Sequence, residues 1–131
     1  MMDLKRMRFL MNRLPMARLR VDRAMARATR TTALLTGMPR GGGISDPVGS
    51  GVEMLELARE QYRALREELA AMQREAEPLI ARLDDSLEET VMRMRYLERL
   101  SVREIAYRLN YSERHIFRVA ASAEKKVEAE G

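Results

Sequence analysis

Two long stretches of this chain carry apolar residues at alternating steps of three and four, the spacing of a helix that packs along one face. The first stretch runs from Asp3 to Leu35, and the second begins near Val52. The first seam consists of Leu4, Met7, Met11, Leu14, Arg18, Val21, Met25, Ala28, Thr32 and Leu35. The second consists of Leu55, Ala58, Tyr62, Leu65, Leu69, Met72, Ala76, Leu79 and Leu83. Both seams are long enough to predict coiled-coil-like packing.

A segment rich in glycine and proline separates the two seams. Residues 36–51 contain six Gly and two Pro, a composition that predicts a connector and not a helix. The segment lacks the Lys-Ser/Thr that follows the last glycine of a phosphate-binding P-loop. Since the two seams are of similar length, the sequence predicts an antiparallel helical hairpin over residues 1–83. Pro15 predicts a kink or a restart in the first helix, and Pro78 predicts a kink in the second.

The net charge of +4 is divided unevenly along the chain. Residues 1–35 carry +7, residues 53–92 carry −6 and residues 93–131 carry +3. The opposite charges of the first two segments suit helices that pair, and the basic C-terminal end suits an anionic partner. The absence of Cys excludes a disulfide scaffold and a thiolate metal site, and a single His argues against a histidine-built site. No apolar run approaches the ~20 residues of a membrane span, so the sequence predicts a soluble intracellular protein.

Helix-capping residues divide residues 84–131 into three short helices. Ser86 and Ser101 each precede a Glu by three residues, as in a capping box, and Ser112 caps the last helix. Asn110 suits the left-handed turn that ends the middle helix. The predicted core positions are Val102, Ile105, Ala106, Leu109, Ile116 and Val119. The predicted fold is therefore all-α: a long antiparallel helical hairpin followed by a C-terminal helix-turn-helix.

The last helix, residues 112–126, is predicted to enter the DNA major groove by its N-terminal half. Arg can donate to guanine, His to a base acceptor, and Glu can accept from cytosine N4. Base contacts are predicted for Glu113, Arg114, His115 and Arg118. Contacts to backbone phosphates are predicted for Ser101, Arg103, Arg108, Ser112, Ser122, Lys125 and Lys126. Phe117 has two interpretations, packing against the preceding helix or contact with a thymine methyl. Glu113, Lys125 and Lys126 also have a simpler interpretation as partners of the helix dipole.

Residues 94–116 resemble the C-terminal helix-turn-helix of sigma factors, region 4. The chain is more closely similar to phage and prophage proteins that carry this module behind a helical segment, the ArpU/RinA-type late transcription regulators and an uncharacterised family beside them. In that family a Thr-Thr stretch and a Gly-Met-Pro-x-Gly-Gly loop lie between two helices, here Thr31-Thr32 and residues 37–42. The resemblance thus covers nearly the whole chain. One departure is Arg99, which stands where the sigma-like pattern usually has Gly, so a non-glycine residue must tolerate that corner.

The resemblance implies binding to double-stranded DNA and a role in transcription, with RNA polymerase as a candidate partner, in the cytoplasm of a bacterial host cell. The first hypothesis is a sequence-specific regulator that acts as a homodimer through the hairpin. The second is an adaptor that docks on RNA polymerase or another protein. The third is a small-terminase-like packaging subunit, which would form a ring. The sequence predicts no enzyme, cofactor, metal, membrane partner or small-molecule substrate, because no nucleophile–base pair, metal cluster or phosphate loop is visible in it.

Overall fold

All regular structure in the described part of the chain is helical, which confirms the all-α prediction. The computed structural model describes residues 2–37 and 47–130, with side chains for 2–30 and 51–130. The helices are α1 (Leu4–Gly37), α2 (Pro47–Ala81), α3 (Ser86–Met92), α4 (Val102–Leu109) and α5 (Glu113–Glu130), and a π-helical turn (Arg93–Leu97) directly follows α3. Among these described helices, none combines the length and the apolar composition that a membrane crossing requires.

The first two helices continue through positions where the sequence predicted breaks. The helix α1 runs on across Pro15, so the predicted restart there is wrong. The predicted connector 36–51 is too long at both ends, because α1 includes Gly37 and α2 begins at Pro47. Proline suits the first position of a helix, where its missing N–H has no partner to lose. Residues 38–46 lie outside the described residues, and so do the side chains of Thr31 and Thr32.

The chain divides into two compact units. One unit, called the terminal unit here, combines Met1–Met11 with Glu68–Gly131, and the other, called the hairpin unit, is Asn12–Glu67. The sequence placed the boundary between residues 83 and 84 instead. The difference arises because the start of α1 and the end of α2 belong to the same unit as the C-terminal helices.

In the hairpin unit, α1 and α2 lie antiparallel. A Cβ built on Gly51 would lie 3.5 Å from the backbone of Ala28, and Arg27 Nη1 lies 3.9 Å from Met54 Sδ. On α1, Ala17 and Ala24 face inward, whereas the predicted seam residues Arg18 and Met25 are exposed. Small alanines allow the close approach of the two backbones. Leu4, Met7, Leu14, Val21 and Ala28 keep their predicted inward positions, and only the alternate positions shift by one residue, from 18 and 25 to 17 and 24.

The predicted seam of the second helix is confirmed as far as Leu79, and its last position, Leu83, lies just beyond the end of α2 at Ala81. Each of its nine positions, from Leu55 to Leu83, is buried or half-buried. Leu69 and Ala76 in the terminal unit are almost completely buried. The exposed Pro78 lies inside α2, off this seam.

The C-terminal helices α3, α4 and α5 share a hydrophobic core within the terminal unit. Its buried members are Val91, Met94, Ile105, Ala106, Ile116 and Ala120, and Leu87, Leu100, Val102, Leu109 and Val119 pack against them. All six core positions predicted for α4 and α5 are among these residues. The core holds one face of α5 against both α3 and α4, and the opposite face of α5 is left to solvent.

Capping hydrogen bonds set the ends of these helices. Ser101 Oγ accepts from the Glu104 N–H at 3.1 Å, and Asn110 adopts φ 60° and ψ 42°, as predicted. The predicted cap at Ser86 is wrong. Asp85 caps α3 instead, because its carboxylate accepts from the backbone N–H groups of the second and third helical residues, at 2.9 and 3.1 Å.

The start of α1 is anchored in the terminal unit by apolar and polar contacts. Leu4, Met7 and Leu10 are completely buried. Arg8 Nη1 donates to the Tyr96 hydroxyl at 2.6 Å and lies 3.2 Å from a Glu124 carboxylate oxygen. This contact joins residues 88 positions apart in the chain.

One carboxylate oxygen of Glu124 accepts hydrogen bonds from three side chains. The Tyr96 hydroxyl donates to it, and Arg95 Nη1 and Arg8 Nη1 lie within 3.3 Å of it. Burial raises the pKa of Tyr96 well above its ordinary value, and the hydrogen bond to Glu124 raises this pKa further. Tyr96 therefore remains a neutral donor. These four residues, Arg8, Arg95, Tyr96 and Glu124, are called the Glu124 cluster below.

The corner between the π-helical turn and α4 gives a stability prediction. Arg99 adopts φ 60°, a left-handed conformation that costs a non-glycine residue roughly 1–2 kcal/mol. A glycine at this position would avoid that cost, but its greater conformational freedom in the unfolded chain offsets part of the stabilisation. We expect Arg99→Gly to stabilise the protein by about 0.5–1 kcal/mol and to raise Tm by about 2–6 °C in thermal unfolding followed by circular dichroism. Asn110→Gly should stabilise the protein less, because Asn tolerates this conformation. A Tm for Arg99→Gly below that of the wild type would contradict the expectation.

Candidate nucleic-acid interface

The outward face of α5 follows directly from its buried face. Ile116, Ala120, Ala123 and Val127 are completely buried at steps of three and four. The positions between them point away from the core. Glu113, Arg114 and Arg118 are accordingly exposed and His115 is half-buried. The structure thus brings the four predicted base-contact residues together on the first half of one helix.

The turn before α5 has the conformation that its sequence predicted. The left-handed Asn110 ends α4, and Ser112 Oγ accepts from the His115 N–H at 3.1 Å. The capping hydroxyls of Ser101 and Ser112 only accept in these bonds. Each hydroxyl can still donate its own proton to a phosphate oxygen.

Five of the six cations on α4 and α5 have no acidic partner among the described residues, and the sixth is Lys126. Arg103, Arg108, Arg114, Arg118 and Lys125 are exposed, and in the part of the chain that the structure describes they form no hydrogen bond or ion pair. Elsewhere in the terminal unit, Arg93 lies 2.7 Å from Glu77 and Arg95 lies 3.3 Å from Glu124. The positive charge of the α4–α5 surface is therefore not neutralised by ion pairs within the described chain.

Two exposed residues predicted to contact phosphates, Ser122 and Lys126, already bind a carboxylate of the protein. Lys126 Nζ lies 3.0 and 2.9 Å from the two carboxylate oxygens of Glu88, and Ser122 Oγ donates to the same group at 3.2 Å. The hydrogen bond to Glu88 raises the pKa of Lys126. Glu88 is buried, so it needs these partners. Ser122 and Lys126 consequently link α5 to α3, which sequence reasoning did not predict.

Three aromatic side chains lie on the outer surface of α4, the following turn and α5. Tyr107 is 85% exposed. The rings of Tyr111 and His115 stack with centroids 4.8 Å apart. Phe117 is half-exposed, and the guanidinium carbon of Arg95 lies 5.9 Å from its ring centroid. Sequence reasoning named neither Tyr107 nor Tyr111 as a site residue, although the four-residue spacing of Tyr111 and His115 was a signal for their contact.

The spacing of the exposed arginines matches what a recognition helix requires. Arg114 and Arg118 are four residues apart, so they lie on the same face of α5 with a rise of about 6 Å. A guanidinium presents a planar fork that can donate two hydrogen bonds to guanine O6 and N7. Arg103 and Arg108 on α4 flank this face and can neutralise backbone phosphates.

Comparison with known proteins gives one family match. A family model described as "Protein of unknown function (DUF1492)" matches residues 49–128, which is more than half of the chain and includes α3, α4 and nearly all of α5. No curated protein and no solved structure gives a match to the chain.

Proposed function

This chain belongs to the DUF1492 family, and we propose that it is a sequence-specific, double-stranded DNA-binding transcription regulator of phage or prophage origin. The observation that carries the proposal is the group of exposed, unpaired cations on α4 and α5, arranged around a helix whose other face is buried. Helix α4, the turn at residues 110–112 and α5 act as the helix-turn-helix, and residues 112–126 enter the major groove. The resemblance of residues 94–116 to sigma region 4 supports the role in transcription, and the similarity of the chain to ArpU/RinA-type late regulators supports the phage or prophage origin.

The roles follow from the chemistry of each side chain. Arg114 and Arg118 donate to guanine, and His115, oriented by its stack with Tyr111, donates to a base acceptor. Glu113 accepts from cytosine. Arg103, Arg108 and Lys125, with the hydroxyls of Ser101 and Ser112, bind backbone phosphates. A homodimer is part of the proposal, because a single helix-turn-helix contacts only a short DNA site. Such proteins usually bind two half-sites as a dimer.

A second candidate function is an adaptor that docks on RNA polymerase. The strongly exposed Tyr107 and the half-exposed Phe117 favour it, because aromatic side chains are enriched in protein interfaces. An adaptor would bind DNA weakly and without sequence preference. Binding to a selected DNA site therefore distinguishes the two functions.

Arg114→Ala is expected to weaken binding to the preferred DNA site by about 1–3 kcal/mol and to relax preference at one or two base pairs. Arg103→Ala should instead weaken binding to all sequences and reduce the salt dependence by about one phosphate contact. Fluorescence anisotropy over a salt series measures both effects. Arg74→Ala, an exposed arginine on α2, is the matched control. Equal affinities for Arg114→Ala and Arg74→Ala would contradict the assignment.

A further inference from the structure

A groove runs between α1 and α2 along one side of the hairpin unit. Its walls combine long basic side chains with apolar ones. They include Arg13, Met16, Arg20 and Arg27 from α1 and Met54 and Leu57 from α2. Met16, Met54 and Leu57 are each at least half-exposed. A groove of this kind leaves apolar surface in water, which favours a partner that covers it.

Two rows of charge repeat at the same spacing, one along the groove on α1 and one on the outer face of α2. Arg13, Arg20 and Arg27, called the Arg row, are seven residues apart on α1, or about 10.5 Å along the helix. Glu53, Glu60 and Glu67, called the Glu row, repeat at the same interval on the exposed outer face of α2.

The two rows are level with each other. Arg27 contacts Met54, which is adjacent to Glu53 in the chain. Arg20 and Gln61 line the same part of the groove, and Gln61 is adjacent to Glu60. Since α1 and α2 are antiparallel, a further seven residues on each helix bring Arg13 level with Glu67. The α1 edge of the groove is therefore positively charged. The Glu row lies at the same levels on the outer face of α2, beyond the other edge of the groove.

We propose that the groove binds a second copy of this chain, with the Arg row of each protomer on the Glu row of the other. The proposal specifies the surface for the dimer in the proposed function, and it does not depend on DNA binding. A twofold axis parallel to α1 and α2 places Arg13 against Glu67 of the partner subunit. Arg20 and Arg27 then meet Glu60 and Glu53 of the partner subunit. The product is a four-helix bundle in which neighbouring helices are antiparallel.

The charge pattern favours this occupant and this axis. A twofold axis perpendicular to the helices would place Arg row on Arg row, and like charges in an interface are strongly unfavourable. A nucleic acid in the groove would bring its phosphates near the Glu row.

Glu60 already binds Arg63 at 2.6 Å, but a carboxylate has acceptor sites for a second guanidinium. The arginine stems cover Met54 and Leu57 of the partner subunit, so apolar burial supplies the affinity and the ion pairs supply the register.

Charge reversal on the full chain tests the proposal. Sedimentation equilibrium from 1 to 100 µM is expected to show a wild-type dimer. Arg13→Glu with Arg20→Glu, and separately Glu60→Arg with Glu67→Arg, should each raise the dimer Kd at least about 100-fold. An equimolar mixture of these two variants should form a heterodimer, because every facing pair is again opposite in charge. All four residues are exposed, so folding is retained, and circular dichroism checks this. Arg18→Glu with Arg59→Glu, exposed positions that do not line the groove, is the control.

Each other outcome overturns the proposal. A wild-type monomer or a ring would do so, as would a dimer that survives both reversals or a mixture that stays monomeric. If the Arg-row variant loses DNA affinity while the wild type is monomeric, the Arg row is a nucleic-acid surface instead. The DNA-binding proposal is judged separately by Arg114→Ala, so the two proposals can fail independently.

Discussion

Deletion of residues 1–11 is expected to unfold the terminal unit, although these residues precede the C-terminal helices by more than seventy positions. Leu4, Met7 and Leu10 are completely buried there, and Arg8 binds Tyr96 and Glu124. Truncation of one fully buried Leu or Met to Ala costs about 2–5 kcal/mol. The loss of three such side chains is comparable with the whole stability of a typical domain, about 5–15 kcal/mol.

Circular dichroism and thermal unfolding measure this effect. The deletion should remove the cooperative transition and much of the helical signal. The single substitutions Leu4→Ala and Met7→Ala should each lose about 2–5 kcal/mol. Met25→Ala is the matched control on the same helix: this side chain is exposed, so the expected loss is below about 1 kcal/mol. A deletion variant with wild-type Tm would show that the C-terminal helices fold without the start of α1.

Replacement of Glu124 by Ala is expected to destabilise the terminal unit strongly, because this one carboxylate accepts from three donors. Its side chain is only 16% exposed and accepts from Arg8, Arg95 and Tyr96. Removal of the carboxylate leaves the two guanidinium groups near each other, with Glu128 remaining as a weaker counter-charge for Arg8. Loss of one partner of a buried pair costs about 3–5 kcal/mol, and the partial exposure of Arg8 reduces this to about 2–3 kcal/mol.

Urea unfolding of two matched variants isolates this effect. Glu130 lies on the same helix and pairs with Arg82 at 3.7 Å, but both side chains are exposed. Glu130→Ala should therefore change stability by less than about 1 kcal/mol. Glu124→Gln should fall between the two, since it keeps an acceptor oxygen and loses the charge. Similar losses for Glu124→Ala and Glu130→Ala would contradict the role given to the Glu124 cluster.

The seams show what local pattern can and cannot predict. On α2 every seam position is apolar or Tyr, so only one register fits the pattern. On α1 the methionines at positions 11 and 25 suggested one register, but Ala17 and Ala24 pack inward and Met25 is exposed. An alanine is a weak hydrophobic signal in a sequence. It becomes decisive when a partner backbone approaches as closely as Gly51 does to Ala28.

The candidate interface was likewise predictable from the sequence only in part. The exposure of Arg114 and Arg118 follows from the helical period once Ile116 and Ala120 are placed in the core. Ser101, Asn110 and Ser112 cap where their side chains predict. The role of Lys126 was not predictable, because its partner Glu88 is 38 positions away.

Caps also show how adjacent residues compete. Asp85 and Ser86 are both good capping residues, and the chain uses Asp85 because its backbone is extended there, with φ −85° and ψ 121°. Local sequence alone does not decide between two neighbouring caps. The backbone path of the preceding turn does.

Selection from a random pool of duplex DNA tests the central claim most directly. Purified full-length protein would be used at ~150 mM salt, where non-specific phosphate contacts are partly screened. The account predicts enrichment of a defined motif, present as two half-sites at fixed spacing, and loss of that enrichment for the double variant Arg114→Ala with Arg118→Ala. Weak, salt-sensitive binding to all sequences without an enriched motif would contradict the claim that α5 reads DNA sequence.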